Sequence, residues 1–338
     1  SYPMFKAIQV GKHGGPEMMK LVTNATLPTI TSSQILVRIH AAAVNPVDTY
    51  IREGWHVASR PCPYTPGLDC AGEVISVGKD VSSFHVGDRV YSSGSVSGTY
   101  ATHGVFTADQ LYPLPAAMSY KAGACLGTGY FTSLFALQCT HTLRDRCIFI
   151  HGASGGVGSS IVKILLSMKK TMEEYKGIHI AASCSTEKAA QYLRSLGVDW
   201  VLDRRNEHYM DEVKAINEGK GPDVIYEMLA NVNLNKDFDV INKRGEIVII
   251  GSRGPIEIQP RSFITKNVTV SGVNLFNQTV EEKKEALRLM NGLAEKCPEL
   301  MSPLIDREYP LEEARSAHEE VIAHKNGVFG RILINPDL

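Results

Sequence analysis

The sequence contains no apolar run near the ~20 residues that a bilayer-spanning helix needs, which excludes a helical membrane protein. It has no excess of one charge. Its 35 Lys+Arg and 36 Asp+Glu leave a formal net charge of −1, too little field to gather nucleic acid or an anionic membrane. The seven cysteines (62, 70, 125, 139, 147, 184 and 297) are odd in number and form no Cys-x-x-Cys. Reduced thiols in a cytoplasmic protein fit that pattern better than a disulfide frame. Eleven histidines contain no His-Glu-x-x-His or similar ligand spacing. The residues around Phe5 run straight into a strand pattern, so no signal peptide is expected.

What is present is 338 residues, 43% hydrophobic and 21% charged, the make-up of a globular protein of about two domains. The first 110 or so residues carry short β-prone runs ("FKAIQV", "QILVRIHAAAV", "AGEVISVG", "DRVYSS") broken by Pro and Gly turns, as in a barrel-like all-β unit. From about Lys121 the pattern becomes helical, and then strand and helix alternate. That alternation predicts a doubly wound parallel sheet. Two further helical segments, "VEEKKEALRLMNGLAEKC" and "LEEARSAHEEVIAHK", precede a closing strand "GRILIN".

Chemistry enters at "IFIHGASGGVG", a short apolar strand followed by Gly152, Gly155, Gly156 and Gly158 and then a helix pattern. A glycine turn between strand and helix lets backbone N–H groups reach a pyrophosphate, so Gly155, Gly156, Val157 and Gly158 are the candidate cradle. The spacing also admits the Gly-x-x-x-Gly-x-Gly loop of short-chain dehydrogenases. That reading fails twice. The loop follows a long β unit instead of opening the chain, and no tyrosine after Gly158 has Lys four residues on.

The order of parts resembles the medium-chain dehydrogenase/reductase superfamily. The segments "VNPVDTYIREG" at 44–54, "PYTPGLDCAGEV" at 63–74, "VGDRVY" at 86–91, "HGASGGVG" at 151–158, "EMLANVNL" at 227–234 and "GSRGPIEIQPR" at 251–261 resemble its zinc-independent branch, the zeta-crystallin-type NADPH:quinone reductases. The resemblance implies a chaperonin-10-like β-barrel catalytic domain from 1–126 and 272–338, and a Rossmann NADP-binding domain from 127–271. Zinc members use a Cys, a His and a later Cys. Here Asn45 and Leu68 hold the first two places and the third falls near Ala124, beside Cys125, so no metal is expected. Without a Lewis acid the acceptor must already take electrons readily. Quinones do, ortho-quinones among them, and some relatives pass electrons to these singly. Conjugated enones and alkenals are the alternative. Tyr64 and Tyr130, with Phe131, are candidates for an apolar slot; by resemblance Tyr50 contacts the cofactor, and Asn45 is placed to bond the substrate or the carboxamide. The resemblance also implies a homo-oligomer, dimer or tetramer, through the edge strand "NVTVSGVNL". Some relatives serve as crystallins or bind AU-rich RNA, although no aromatic-and-basic stripe is present here.

The end of the second Rossmann strand distinguishes NAD from NADP. An acid there binds the ribose 2′-hydroxyl; here the strand "GIHIAASC" runs into Ser185 and Thr186. Ser185, Lys188 and Arg204 are the candidate 2′-phosphate contacts and predict NADPH, with Glu187 the one conflicting residue. By resemblance, Asn233, Ile250, Gly251, Ser252, Arg253, Val273, Asn274 and Leu275 line the cofactor. The longer connection "MKKTMEEYKG" is expected to extend the helix after the glycine loop or its surface turn.

Overall fold

The structure is a computed structural model that describes residues 5–56, 58–323 and 329–338. Two compact units form. The first takes Ser1–Gly129, Pro303–Asn326 and Arg331–Leu338; the second takes Tyr130–Ser302 and Gly327–Gly330.

In the first unit the organising strand is Gln34–Val44. Its residues are buried nearly throughout because it lies in the middle of a seven-stranded sheet. Across that sheet run Ile305–Pro310, Arg331–Asn335, Gln34–Val44, Asp69–Val77, Arg89–Ser92 and Leu111–Pro113, with His103–Thr107 also on Gln34–Val44. Every pairing is antiparallel save Ile305–Pro310 with Arg331–Asn335. Phe5–Val10 and Met19–Ala25 form a separate antiparallel pair. Ile35, Val37, Ile39, Tyr100 and Phe106 are fully buried in the core of this unit.

The second unit holds six parallel strands in the order Trp200–Asp203, His179–Cys184, Cys147–Ile150, Val224–Glu227, Glu246–Ile249, Thr269–Gly272. The chain starts in the middle, winds outward one way and returns to the other side. The winding therefore reverses between Cys147–Ile150 and Val224–Glu227, the place where such sheets take a dinucleotide. The apolar strand runs follow from burial on both faces. The doubly wound α/β class expected from the alternation is observed. Among the described residues no helix is long and apolar enough to cross a membrane.

One departure has a local cause. The run "DVIYEML" predicts a strand over 223–229; the strand stops at Glu227, and "ANVN" opens the helix Ala230–Val240. A short helix, Arg261–Lys266, follows Pro260, a residue that fits the start of a helix. As expected, the "MKKTMEEYKG" extension forms the last turn of the helix Gly156–Thr171 and a short 3-10 turn, Glu173–Tyr175. The end of "LEEARSAHEEVIAHK" lies outside the described residues.

The expected return to the first unit at residue 272 also moves. Residues 272–302 pack with the second unit, and the return comes at Pro303. Lys163 shows why. This lysine of the helix Gly156–Thr171 is 2% exposed, and its ammonium donates to Tyr192 Oη at 2.7 Å, Ser302 O at 2.9 Å and Leu300 O at 3.3 Å. A buried ammonium must keep its acceptors, so the helix pair Val280–Lys296 and Pro298–Met301 stays with it. Lys163→Met is expected to cost about 1–3 kcal/mol by orphaning two carbonyls. Urea denaturation followed by far-UV dichroism checks this; an unchanged midpoint would remove Lys163 from its tethering role.

Candidate active site

The glycine loop is built by geometry that few side chains tolerate. Gly152 takes φ 57°, and its N–H donates to Ser183 Oγ at 3.1 Å. Ala153 N–H donates to Ser183 O at 2.8 Å, which ties the turn to the neighbouring strand. A Cβ at Gly158 would lie 2.4 Å from Gly152 O. The helix Gly156–Thr171 begins after Gly155, which offers no side-chain cap. The first N–H groups of a helix have no intrahelical partner, so Gly156, Val157 and Gly158 present donors at the positive end of a helix dipole.

The end of the second strand carries the expected choice of cofactor. Thr186 caps the helix Glu187–Leu196 by accepting from Ala189 N–H. The carboxylate of Glu187, the conflicting residue, is taken by Arg194 at 3.3 Å and Gln191 at 3.5 Å. Arg205 is bidentate with Asp203, through Nε at 2.9 Å and Nη2 at 2.7 Å. Arg204 uses its backbone N–H on Cys184 O, and its exposed guanidinium has no ion pair among the described residues. Ser185 is half-buried with an uncommitted hydroxyl. Lys188 lies over the Phe329 ring, 4.8 Å from its centre. Of the three cations near this strand end, Lys188, Arg204 and Arg205, Arg204 is the one with neither an ion pair nor a ring contact among the described residues.

The remaining cofactor candidates separate into two groups. Gly251 packs so closely that a Cβ would meet Met228 O at 2.4 Å, and its carbonyl accepts from Ala230 N–H. It follows Ile250 at the end of a central strand, and Ser252 and Arg253 come next, both exposed; Ser252 Oγ donates to Gly254 O and Arg253 N–H to Asn231 Oδ1. Val273 N–H continues the ladder onto Ile249 O, and Asn274 caps the turn Leu275–Asn277. Asn233 differs. It is buried, and its amide donates to Glu227 Oε1 at 3.1 Å, so it supports the site from beneath.

In the first unit, the residues at the would-be metal positions form a closed polar junction. Asn45 precedes the helix Pro46–Glu53 and is 4% exposed. Its Nδ2 donates to Asp69 Oδ2 at 2.9 Å, and its Oδ1 accepts from Arg331 Nη2 at 2.6 Å. Thr128 completes the shell of Asp69, with N–H on Oδ2 and Oγ1 on Oδ1, both at 2.7 Å. Leu68 is a buried hydrocarbon. Burial pushes the Cys125 thiol up to about 11 and that of Cys70 to about 12. An amide already bonded at both ends, a leucine and a protonated thiol do not fit zinc.

A second network starts at the same residue. Asp48 Oδ2 accepts from Asn45 N–H at 2.9 Å and from Tyr100 Oη at 3.0 Å. Arg52 can only donate, so His318 Nδ1 accepts from it at 2.6 Å, and His318 Nε2–H donates to Tyr100 Oη at 3.0 Å. The proton order is thereby fixed from Arg52 to Asp48. Desolvation raises Asp48 to about 7 and lowers His318 to about 3, helped by Arg52. Asp48 and Tyr64 line a hollow of about 10 Å³, room for about one water and far too small for a quinone. Tyr64 is half-buried with its hydroxyl inside. Tyr50 is half-buried against Trp55, ring centres 4.6 Å apart, and Trp55 is 57% exposed. Trp55 was missed by the sequence reading; its one signal was a rare tryptophan just after a glycine-capped helix. Tyr130, expected in the slot, is a core residue of the second unit whose hydroxyl donates to Met301 O at 2.6 Å, and Phe131 is buried beside it.

Among the described residues, one group of three potential metal ligands does come together, although no spacing announced it: His151, Glu227 and Asp237, all buried. They come from a loop, a strand end and a helix of the second unit.

Three substitutions check the site's architecture. Gly158→Ala is expected to weaken dinucleotide binding at least about tenfold, because the clash is with backbone; Gly152→Ala, with open space around it, costs only about 1 kcal/mol of left-handed strain. Isothermal titration with NADPH ranks the two. Asn45→Ala, which strips a partner from two buried charged groups, is expected to lose about 1–3 kcal/mol of stability in a denaturant titration.

The chain matches two family models, the alcohol dehydrogenase GroES-like domain over residues 31–116 and the zinc-binding dehydrogenase over residues 171–292. It is 40% identical to the quinone oxidoreductase of Sus scrofa over 333 residues, covering 98% of each chain. The quinone oxidoreductase of Homo sapiens is 37% identical with the same coverage. The structure of Escherichia coli quinone oxidoreductase, solved in complex with NADPH, superposes with a TM-score of 0.84 at 28% identity, over 98% of this chain and 100% of that one. A glycine cradle at the sheet's reversal point, a closed polar junction where zinc would bind, and full-length likeness at this identity place the chain in the quinone oxidoreductase family.

Proposed function

We propose that this protein reduces quinones with NADPH and does so without a metal. The observation that carries the reading is the second strand's end. Ser185 and Arg204 stand uncommitted there, while the competing acid, Glu187, is held by Arg194. A 2′-phosphate takes a charge-assisted pair from Arg204 and a hydrogen bond from Ser185, with Lys188 adding charge nearby. The N–H groups of Gly156, Val157 and Gly158, after the turn at Gly155, hold the pyrophosphate. Ile250, Gly251, Ser252, Arg253 and the segment Val273, Asn274 and Leu275 supply the surface for the nicotinamide half.

Bound NADPH supplies the reducing equivalents; the chain's own work is orientation. Tyr50, with Trp55 beside it, offers an aromatic face suited to a flat conjugated ring. Tyr64 contributes its ring edge. Asn45 acts through Asp69 and Arg331, holding the shape of this region rather than touching the acceptor. Such a site reduces acceptors that need no polarisation.

Arg204→Ala is expected to raise the KM for NADPH by about 10–100-fold, the worth of one charged hydrogen bond, and to leave NADH unchanged. Arg205→Ala, already paired with Asp203, should change neither. Steady-state kinetics with 1,2-naphthoquinone and both cofactors reads this out, and an equal loss for NADH would refute the assignment. A panel that includes 2-alkenals tests the acceptor class, since faster turnover with alkenals would replace quinone with enone reduction.

The proposal extends to assembly. Thr269–Gly272 is the outer strand of the six-stranded sheet and is half-exposed. Thr269 and Val273 direct their N–H groups inward, to Gly245 and Ile249, so Val270 and Gly272 direct theirs outward. A second copy can continue the sheet there. Light scattering is expected to give a multiple of the chain mass that Val270→Pro reduces; an unaltered mass would place the interface elsewhere.

A further inference from the structure

The triad His151, Glu227 and Asp237 lies under the glycine turn and belongs to no function so far described. His151 is the residue between the strand Cys147–Ile150 and Gly152, and Glu227 ends the adjacent strand Val224–Glu227. These are the two strands between which the sheet reverses. Asp237 reaches up from the helix Ala230–Val240. All three side chains are 3% exposed or less. His151 Nε2 is 2.7 Å from Asp237 Oδ1 and 3.0 Å from Glu227 Oε2.

Both neighbours of Nε2 are acceptors, so Nε2 carries the hydrogen. The hydrogen bonds of Glu227 fall on its other oxygen. Oε1 accepts from Leu229 N–H at 2.5 Å and Asn233 Nδ2 at 3.1 Å. Asp237 thus holds the glycine turn through His151, and Glu227, 3.0 Å from the same nitrogen, holds the 227–233 loop through its backbone. His151 N–H bonds Tyr226 O at 3.1 Å and closes the same seam.

A cation is the competing occupant. The donor set of one imidazole and two carboxylates suits a divalent metal, and Asp237 Oδ2 has no other partner. Two observations weigh against it. His151 and Asp237 are drawn together at hydrogen-bond length, and the charges acting on His151 from outside, Arg204 and Lys236, are both positive. A group that already feels two cations is a poor place for a third.

We infer that His151, Glu227 and Asp237 form a proton-held latch: positioning residues that fix the two strand ends around the dinucleotide loop, and that loosen this grip when the shared proton is lost. The inference rests on the NADPH reading for its effect on affinity, not for the latch itself. With a proton shared between the carboxyls the cluster holds one negative charge; without it, two carboxylates face each other across one imidazole. Burial lifts Glu227 to about 8 and Asp237 to about 7 and lowers His151 to about 4. Tyr209, on the helix Tyr209–Ala215, completes the groups facing the cluster with Arg204 and Lys236. Raised carboxyls bind protons that the unfolded chain has released, so their contribution is complete below about pH 4 and is lost as pH climbs through about 7 to 8. The added buried charge also opposes a polyanionic ligand bound just above.

Glu227→Gln keeps the shape and the acceptor for Leu229 and Asn233 but cannot lose a proton. Wild type should bind NADPH up to about tenfold more weakly at pH 9 than at pH 7, with a parallel fall in thermal midpoint measured without ligand. Glu227→Gln should flatten both profiles, and Asp237→Asn should do so in part. Glu227→Ala should weaken NADPH at every pH, while kcat at saturating NADPH and the KM for quinone stay within about twofold. Two results overturn the latch. One is a Glu227→Gln pH profile of stability that superposes on wild type. The other is about one equivalent of metal in purified protein, by mass spectrometry, whose chelation lowers the midpoint. The ligand-free midpoints decide the latch even if wild type fails to bind NADPH, a failure that would count against the functional reading alone.

Discussion

The first unit depends on where a buried carboxylate finds its partners. Asp69 has no exposure to water, and a lone carboxylate there would be untenable. Its donors come from Asn45 and Thr128, and the chain's distant end supplies Arg331 through Asn45. The condition that Asp69 be satisfied therefore draws together four segments separated in sequence by up to 286 residues. It also uses up the position that elsewhere in the superfamily holds a metal ligand. Gly127 belongs to the same arrangement, since a Cβ there would sit 2.5 Å from Asp69 Oδ1.

The second unit is organised by similar means around a different task. Around its strand ends stand groups that already have partners, while backbone N–H groups beside them remain available. Ser183 is bonded to Gly152 and Ala153, Asn233 to Glu227, and Glu187 to Arg194. What is left over at the surface is a row of helix-terminal donors and one arginine. A site for a polyanion is defined here as much by side chains already occupied as by those left uncommitted.

Much of this was legible in the sequence, for identifiable reasons. Strand and helix alternation fixes the winding of a parallel sheet, and Gly158 declares itself because close helix-to-turn packing has no substitute for hydrogen. Leu68 could be struck from a ligand set by its chemistry alone. The illegible parts are those in which a side chain's partner is remote in sequence. Asn45 reads as a contact to substrate or carboxamide until Arg331 is seen at its oxygen. Tyr130 reads as a slot residue until Met301 takes its hydroxyl. Lys163 sits in an ordinary amphipathic helix, yet it holds residues 298–302 in the second unit. Arg204 and Arg205 are adjacent and alike in sequence; only the bidentate pair to Asp203 tells them apart. His151, Glu227 and Asp237 are 76 and 10 residues apart, a spacing no local motif encodes.

The two tryptophans make the protein its own optical instrument. Trp55 lies in the first unit, largely in water and against Tyr50. Trp200 lies in the second, half-buried on the outermost strand of the parallel sheet and beside His179. Each unit therefore carries a single indole in a distinct environment. Replacing either by phenylalanine leaves an emission that follows one unit alone, so the melting of each can be timed separately in the intact chain without any attached label.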